Sequence, residues 1–92
     1  MKLQKAEIQI LYKLFRHTRF GRGHMLMDNL TRGFPSHLKG NVKEAVNELI
    51  RKGLLVEKPT RHGIAVHINF KRLDEIIAML EENLGMMSNL QE

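Results

Sequence analysis

The segment NVKEAVNELIRKGLLVEKPTRHG, residues 41–63, decides the fold because its hydrophobic period changes along its length. From Asn41 to Lys52 one helical face collects the apolar side chains Val42, Ala45, Val46, Leu49 and Ile50. This spacing predicts an amphipathic helix. Asn41 is a favourable N-cap, and Glu44 at position N3 completes a capping box. Gly53 stands where a helix commonly ends on a glycine.

The remainder of the segment predicts a β-hairpin. Leu54–Lys58 is extended and rich in aliphatic residues, and Pro59–Gly63 is a cluster of turn residues. In residues 64–69, Ile and Val alternate with Ala, His and Asn. Because successive side chains of a strand point to opposite faces, this alternation indicates a second strand with one buried face.

Two helices are predicted before the segment and one after it. Leu3–His17 carries a wide apolar stripe without Gly or Pro, and His24–Arg32 forms a short helix that Gly33 ends. Asn69 is expected to cap the last helix, Phe70–Leu84. Residues 1–84 therefore form one domain and residues 85–92 a frayed tail. The predicted fold class is α+β, with three helices followed by a two-stranded hairpin and a C-terminal helix.

Charge is distributed unevenly along the chain. The net charge is +5, and basic residues outnumber acidic ones seven to one between Ile8 and Lys43. Residues 73–92 instead hold five acids and no base. Since basic surfaces attract phosphate backbones, the pattern predicts a nucleic acid as the partner. A basic surface that is merely solvated is the alternative.

The composition argues against several other classes of site. The absence of cysteine excludes disulfides, zinc ribbons and thiol catalysis. The histidines, at positions 17, 24, 37, 62 and 67, never stand three or four residues apart, so no metal is expected. No nucleophile motif or phosphate-cradling glycine loop occurs, so neither an enzyme nor a cofactor is expected. Without a signal-like or membrane-spanning apolar run, we expect a cytoplasmic protein.

The order helix, helix, helix, hairpin, helix resembles the winged helix-turn-helix family. The junction VNELIRKGLL, residues 46–55, is similar to that family's passage from recognition helix to wing. The resemblance covers about residues 3–68 and points to archaeal-type regulators similar to multiple-antibiotic-resistance regulators. The loop FPSHLKG, residues 34–40, is longer than the family's usual turn. The resemblance implies a transcription regulator that binds double-stranded DNA.

The resemblance also implies which residues contact DNA. A helix fits the major groove, where Asn pairs with adenine and Arg or Lys with guanine. The candidate base readers are therefore Lys43, Asn47 and Arg51, with Lys39 and Asn41 at the leading end of the third helix. The candidate phosphate contacts are Lys58, Thr60 and Arg61 in the wing and Arg16, Arg19 and Arg22 after the first helix. A solvated helix face, an ordinary hairpin and a solvated loop are the respective alternatives, and Glu44 and Glu48 favour the first.

A further apolar stripe lies on the last helix. Its members are Leu73, Ile76, Ile77, Leu80 and Leu84. Because two other helices already cover the hairpin, part of this stripe is expected to remain exposed and to form a homodimer interface. Completion of the monomer core is the alternative. For the whole chain, a winged-helix protein–protein interaction module is the second functional hypothesis, and a small RNA-associated domain is the third.

Overall fold

The computed structural model describes residues 3–18, 23–35, 37 and 39–83. Its elements are α1 (Lys5–His17), β1 (His24–Leu26), α2 (Met27–Arg32), α3 (Lys39–Arg51), β2 (Leu55–Thr60), β3 (Gly63–Ile68) and α4 (Leu73–Asn83). A short 3-10 turn, Phe70–Arg72, precedes α4. The described residues therefore form a small α+β domain with four helices and one three-stranded antiparallel sheet.

The hairpin of β2 and β3 has the predicted position but a tighter turn. Pairing runs from Leu55 opposite Ile68 to Thr60 opposite Gly63, which leaves two residues, Arg61 and His62, in the turn. The Thr60 hydroxyl donates to the Gly63 carbonyl oxygen at 2.7 Å and accepts from the His62 N–H at 3.1 Å. Gly63 has φ +123°, which favours glycine at this corner. These bonds close the turn within two residues, so both strands extend into the segment Pro59–Gly63 that was predicted to be the turn.

The sequence predicted Pro59 in the turn, but Pro59 lies inside β2. A two-residue turn makes the closing pair hydrogen-bonded, and hydrogen-bonded pairs then alternate along an antiparallel ladder. Pro59, opposite Ile64, accordingly belongs to a pair without ladder bonds. Its missing N–H faces the free edge of β2, where proline is tolerated.

The predicted start of the second helix is wrong, because His24–Leu26 forms the strand β1. This strand pairs with β3 in antiparallel register, His24 opposite His67 and Leu26 opposite Ala65. β3 is therefore the central strand, in the order β1-β3-β2. A three-residue segment is too short to show a period, so its pairing with a strand about forty positions later decides its conformation.

The predicted N-cap of α3 is also wrong. The helix begins at Lys39, so Asn41 lies within its first turn and the proposed capping box with Glu44 does not form. An Asn cap contributes only about 1 kcal/mol, which competing contacts at a helix start can outweigh. A capping interaction does occur on α1, where the Gln4 backbone N–H donates to Glu7 Oε1 at 2.7 Å.

The predicted end of α3 at Gly53 is confirmed. Gly53 has φ +80°, in the left-handed region that favours glycine. The Gly53 N–H donates to the Ile50 carbonyl and the Leu54 N–H to the Leu49 carbonyl, both at 3.0 Å. This bonding pattern is a Schellman motif, and Leu49 and Leu54 are both fully buried beside it.

The core lies between the helices and one face of the sheet. It contains Ile10, Leu11 and Leu14 of α1, Val42, Val46 and Leu49 of α3, Leu55 of β2, Val66 and Ile68 of β3, and Ile76, Met79 and Leu80 of α4. The apolar faces predicted for α1, α3 and β3 are therefore confirmed at these positions, but Ile64, on the predicted buried face of β3, is 42% exposed.

The structure corrects the expected surface stripe on α4. Ile76 is fully buried and Leu80 is 1% exposed, and both belong to the same core cluster as the buried face of α1. α4 contacts α1 directly, so these two side chains are not available to a second copy. Leu73 and Ile77 are half-buried, and Leu84 lies outside the described residues. Dimerisation through the exposed parts of Leu73 and Ile77 stays a prediction.

We expect Gly53→Ala to lower the free energy of unfolding by about 1–2 kcal/mol, because a Cβ is disfavoured at positive φ. That Cβ would also lie 3.0 Å from Arg72 Nη1. Urea denaturation measures the change. Gly40→Ala is the matched control, since Gly40 is a helical residue and, among the described residues, nothing beyond its own stretch of helix lies within 4 Å of the added Cβ. The control should retain or increase stability, and equal losses in both variants would contradict the assignment.

Candidate nucleic-acid interface

The exposed face of α3 carries the residues predicted to read bases. Asn41, Lys43, Asn47 and Arg51 are all exposed, opposite the buried stripe of the helix. Lys43, Asn47 and Arg51 follow one another at four-residue intervals and so share one ridge of the helix. Lys39 is the first residue of α3, and its side chain lies outside the described residues.

One edge of this face adjoins the hairpin. Lys43 lines a cleft of about 220 Å³ together with Glu57 of β2, the turn residue His62 and Ile64 of β3. Asp28 of α2 lines the same cleft. α3 and the tip of the hairpin are therefore neighbours, and Lys43 is the candidate reader that lies between them.

The other edge of the face adjoins α1. Asn41 and Arg51 line a separate cleft of about 430 Å³, with Glu7 and Lys52 among its other residues. Asn47 lines neither cleft. The fold thus separates the predicted readers, with Lys43 toward the hairpin and Asn41 and Arg51 toward α1.

Arg51 is already engaged by a neighbouring carboxylate. Its Nη2 lies 2.6 and 2.7 Å from the two Glu48 oxygens, and its Nε donates to Glu48 Oε2 at 2.9 Å. The Arg51 side chain is 75% exposed, so this pair contributes little stability. It nevertheless neutralises the guanidinium locally, and a DNA contact would have to displace Glu48. Arg51 is therefore a weaker candidate reader than Lys43 or Asn47.

A second ion pair, which the sequence analysis missed, joins α1 to the end of α3. Lys52 Nζ lies 2.8 and 3.1 Å from the Glu7 carboxylate oxygens. The Glu7 side chain is only 4% exposed and that of Lys52 is 25% exposed. Glu7 stands four positions after Leu3 and four before Leu11, on the apolar face of α1, and this spacing was the available signal of burial.

Two polar side chains of the segment between β3 and α4 hold the carboxyl end of α3. Arg72 Nη1 donates to the Lys52 carbonyl at 2.6 Å, and Asn69 Nδ2 donates to the Gly53 carbonyl at 2.8 Å. Asn69 Oδ1 also accepts from the Lys71 N–H at 3.1 Å, so it caps the 3-10 turn Phe70–Arg72 and not, as predicted, the last helix, which begins at Leu73. Arg72 further pairs with Glu75 at 2.7 Å. The hydrogen bond between them lowers the pKa of Glu75 and raises that of Arg72.

The predicted phosphate contacts differ in availability. Lys58 and Arg61 are exposed on the hairpin and form no ion pair with any residue that the structure describes. The Thr60 hydroxyl is instead occupied by the turn, which makes it a poor phosphate ligand. Arg16 is exposed and lies 5.5 Å from the Tyr12 ring centroid. Arg19 and Arg22 lie outside the described residues.

Within residues 3–18, 23–35, 37 and 39–83, no group of three or more His, Cys, Asp or Glu side chains could hold a metal ion. No helix in that part of the chain is long and apolar enough to cross a membrane. No protein-family model, curated protein or solved structure matches the chain.

We expect Lys52→Met to lower the free energy of unfolding by about 1–3 kcal/mol, because it leaves the buried Glu7 carboxylate without its cation. Thermal and urea denaturation measure the loss. Arg51→Met is the matched control, since it breaks an exposed pair one residue away and should cost less than about 1 kcal/mol. Adding Glu7→Gln to Lys52→Met should recover part of the loss, and a further loss would contradict a charge-pairing role.

Proposed function

We propose that this chain is a winged-helix protein that binds double-stranded DNA and regulates transcription. α3 enters the major groove, and the β2–β3 hairpin acts as the wing along the phosphate backbone. The observation that carries the proposal is the cleft shared by Lys43 of α3 and the hairpin tip, which supports simultaneous contact of both elements with one duplex. The helix order and the hairpin directly after α3 are compatible with such a fold.

The charges available on this side support a phosphate-bearing partner. Lys43, Lys58 and Arg61 are exposed, and none of them forms an ion pair with a described residue. A polyanion would release its counterions on meeting these groups, which favours binding. The wing contacts therefore consist of Lys58 and Arg61, without Thr60.

Base reading is assigned to Lys43, at the hairpin edge of α3, and to Asn47, which follows it on the same ridge. Asn47 presents an amide that can bond two adenine atoms at once, and Lys43 can donate to guanine. Both side chains are exposed and lie on one ridge, four residues apart. Arg51 continues that ridge, but its pairing with Glu48 gives it a smaller role.

A protein-interaction module is the second candidate function. It is favoured by the carboxylates near the same surface, since Asp28 and Glu57 line the cleft beside Lys43. Ile64, which is 42% exposed, lines that cleft as well. Acidic groups oppose phosphate but suit a mixed polar and apolar protein surface.

The two candidates differ in their dependence on salt. About five phosphate contacts per chain should make the logarithm of the DNA association constant fall with the logarithm of salt concentration at a slope of roughly −4 to −5. Fluorescence anisotropy of a labelled duplex, titrated at several salt concentrations, measures this slope. Affinity that stays constant between low and moderate salt would reject DNA binding and favour the protein-interaction module.

Substitutions should separate reading from positioning. We expect Lys43→Ala or Asn47→Ala to cost roughly 1–3 kcal/mol on a preferred duplex and to reduce discrimination among sequences. Arg61→Ala should weaken binding to all duplexes about equally. Arg51→Ala is the control on the same ridge and should cost less than about 1 kcal/mol, because its charge is already paired. If Arg61→Ala altered sequence preference while Asn47→Ala did not, the wrong element would have been assigned to the groove.

A homodimer is also part of this proposal. Leu73 and Ile77 of α4 are half-buried in one chain, and their remaining exposure supports contact with a second copy. Two copies of α3 related by a two-fold axis would meet half-sites about 34–36 Å apart on one side of the duplex. Sedimentation equilibrium measures the association. A chain that stays monomeric at high micromolar concentration would contradict the proposed homodimer and its paired half-sites.

A further inference from the structure

The ammonium of Lys13 lies at the carboxyl end of α2. Lys13 belongs to α1 and is half-buried, and its Nζ lies 3.4 Å from the Leu30 carbonyl oxygen. Carbonyl groups in the last turn of a helix lack intrahelical partners and carry partial negative charge. The Leu30 carbonyl also accepts from the Gly33 N–H at 3.4 Å, so the ammonium is a second donor to it. This contact links α1 to α2 across seventeen positions of sequence.

The same ammonium contacts the connection that leads into α3. Its Nζ lies 5.1 Å from the centroid of the Phe34 ring, within the range of a cation–π interaction. Phe34 packs against the hydrophobic core, and its backbone N–H donates to the Thr31 carbonyl at 3.0 Å. Lys13 therefore binds both the end of α2 and the first part of the connection.

Gly33 provides the space for this ammonium. A Cβ at Gly33 would lie 1.5 Å from Lys13 Nζ and 3.0 Å from its Cε. The backbone of Gly33 has φ −76° and ψ −1°, a conformation that any residue adopts. A side chain at position 33 would thus displace the Lys13 ammonium, whereas the backbone geometry there does not favour glycine over other residues.

We infer that Lys13 is a positioning residue for α3. Six residues, 33–38, join α2 to α3, and Lys13 secures the beginning of that connection. The opposite end of α3 is held by Asn69, Arg72 and the pair of Glu7 with Lys52. The amino end of α3 is held both by the packing of Val42 and Val46 in the core and by the connection that Lys13 secures. Together with that packing, Lys13 thereby fixes the angle at which α3 presents Lys43 and Asn47, an inference that rests on the function proposed for α3.

Three variants isolate the ammonium. Lys13→Met keeps an unbranched apolar stem of similar length but removes the charge, whereas Lys13→Arg keeps a cation. Gly33→Ala leaves Lys13 in the chain and displaces its Nζ. Met79→Ala is the control for stability alone, because it removes core packing on α4 without touching the connection.

The first measurement does not involve DNA. Residual dipolar couplings of backbone amides report the direction of α3 relative to α1 in each folded variant. We expect Lys13→Met and Gly33→Ala to change that direction, and Lys13→Arg and Met79→Ala to retain it. Wild-type couplings in Lys13→Met, or in Gly33→Ala if Lys13→Met does not fold, would overturn the inference.

The second measurement uses a duplex selected from a random pool by the wild-type chain. The ratio of its affinity to that of the same duplex with one base pair changed should fall about fivefold or more in Lys13→Met and Gly33→Ala. Lys13→Arg and Met79→Ala should keep the wild-type ratio. An unchanged ratio with altered couplings would overturn the role in recognition. If the wild-type chain bound no duplex, the proposed function would fail, while the couplings would still decide whether Lys13 directs α3.

Discussion

The carboxyl end of α3 is the constraint on which the other elements depend. A helix leaves its last carbonyl groups without intrahelical partners, and burial without partners would be costly. Here the left-handed backbone at Gly53 turns the chain toward β2 and closes part of the helix end. Asn69 and Arg72, which follow β3, donate to carbonyls of the same end. One helix terminus thus joins α3, the sheet and α4, and α3 is held in a defined relation to the hairpin.

This arrangement gives the two edges of α3 different electrostatic properties. Toward α1, the cations Arg51 and Lys52 are paired with Glu48 and Glu7. Toward the hairpin, Lys43 has no ion-pair partner among the described residues. Positive charge that a polyanion could use without displacing a carboxylate is therefore concentrated on the hairpin edge. The acids Asp28 and Glu57 of the adjacent cleft would oppose a phosphate there, which is the observation that favours the protein-interaction candidate.

Much of the candidate site followed from local patterns. The exposed ridge of α3 was predictable because the helical period that buries Val46 and Leu49 exposes Lys43 and Asn47. Whether each predicted side chain is available to DNA was less predictable, because this depends on which other residues of the fold already bind it. The Thr60 hydroxyl, for example, is occupied by two hydrogen bonds of the turn. These bonds could not be predicted until the turn was known to contain only two residues. Weak local preferences also gave a wrong helix boundary. At the start of α3, the N-cap preference of Asn41, worth about 1 kcal/mol, did not decide where the helix begins.

The sequence by itself determined the main helices, the end of α3 at Gly53 and the hairpin after it, because hydrophobic period and glycine conformation act over neighbouring residues. Only the tertiary structure decided the pairing of β1 with β3, the burial of Glu7 beside Lys52 and the division of the α4 stripe between core and surface. It also placed Lys13 against α2. Each of these features joins residues far apart in the chain. Their free energies arise from packing and desolvation in the folded state, which no local segment contains.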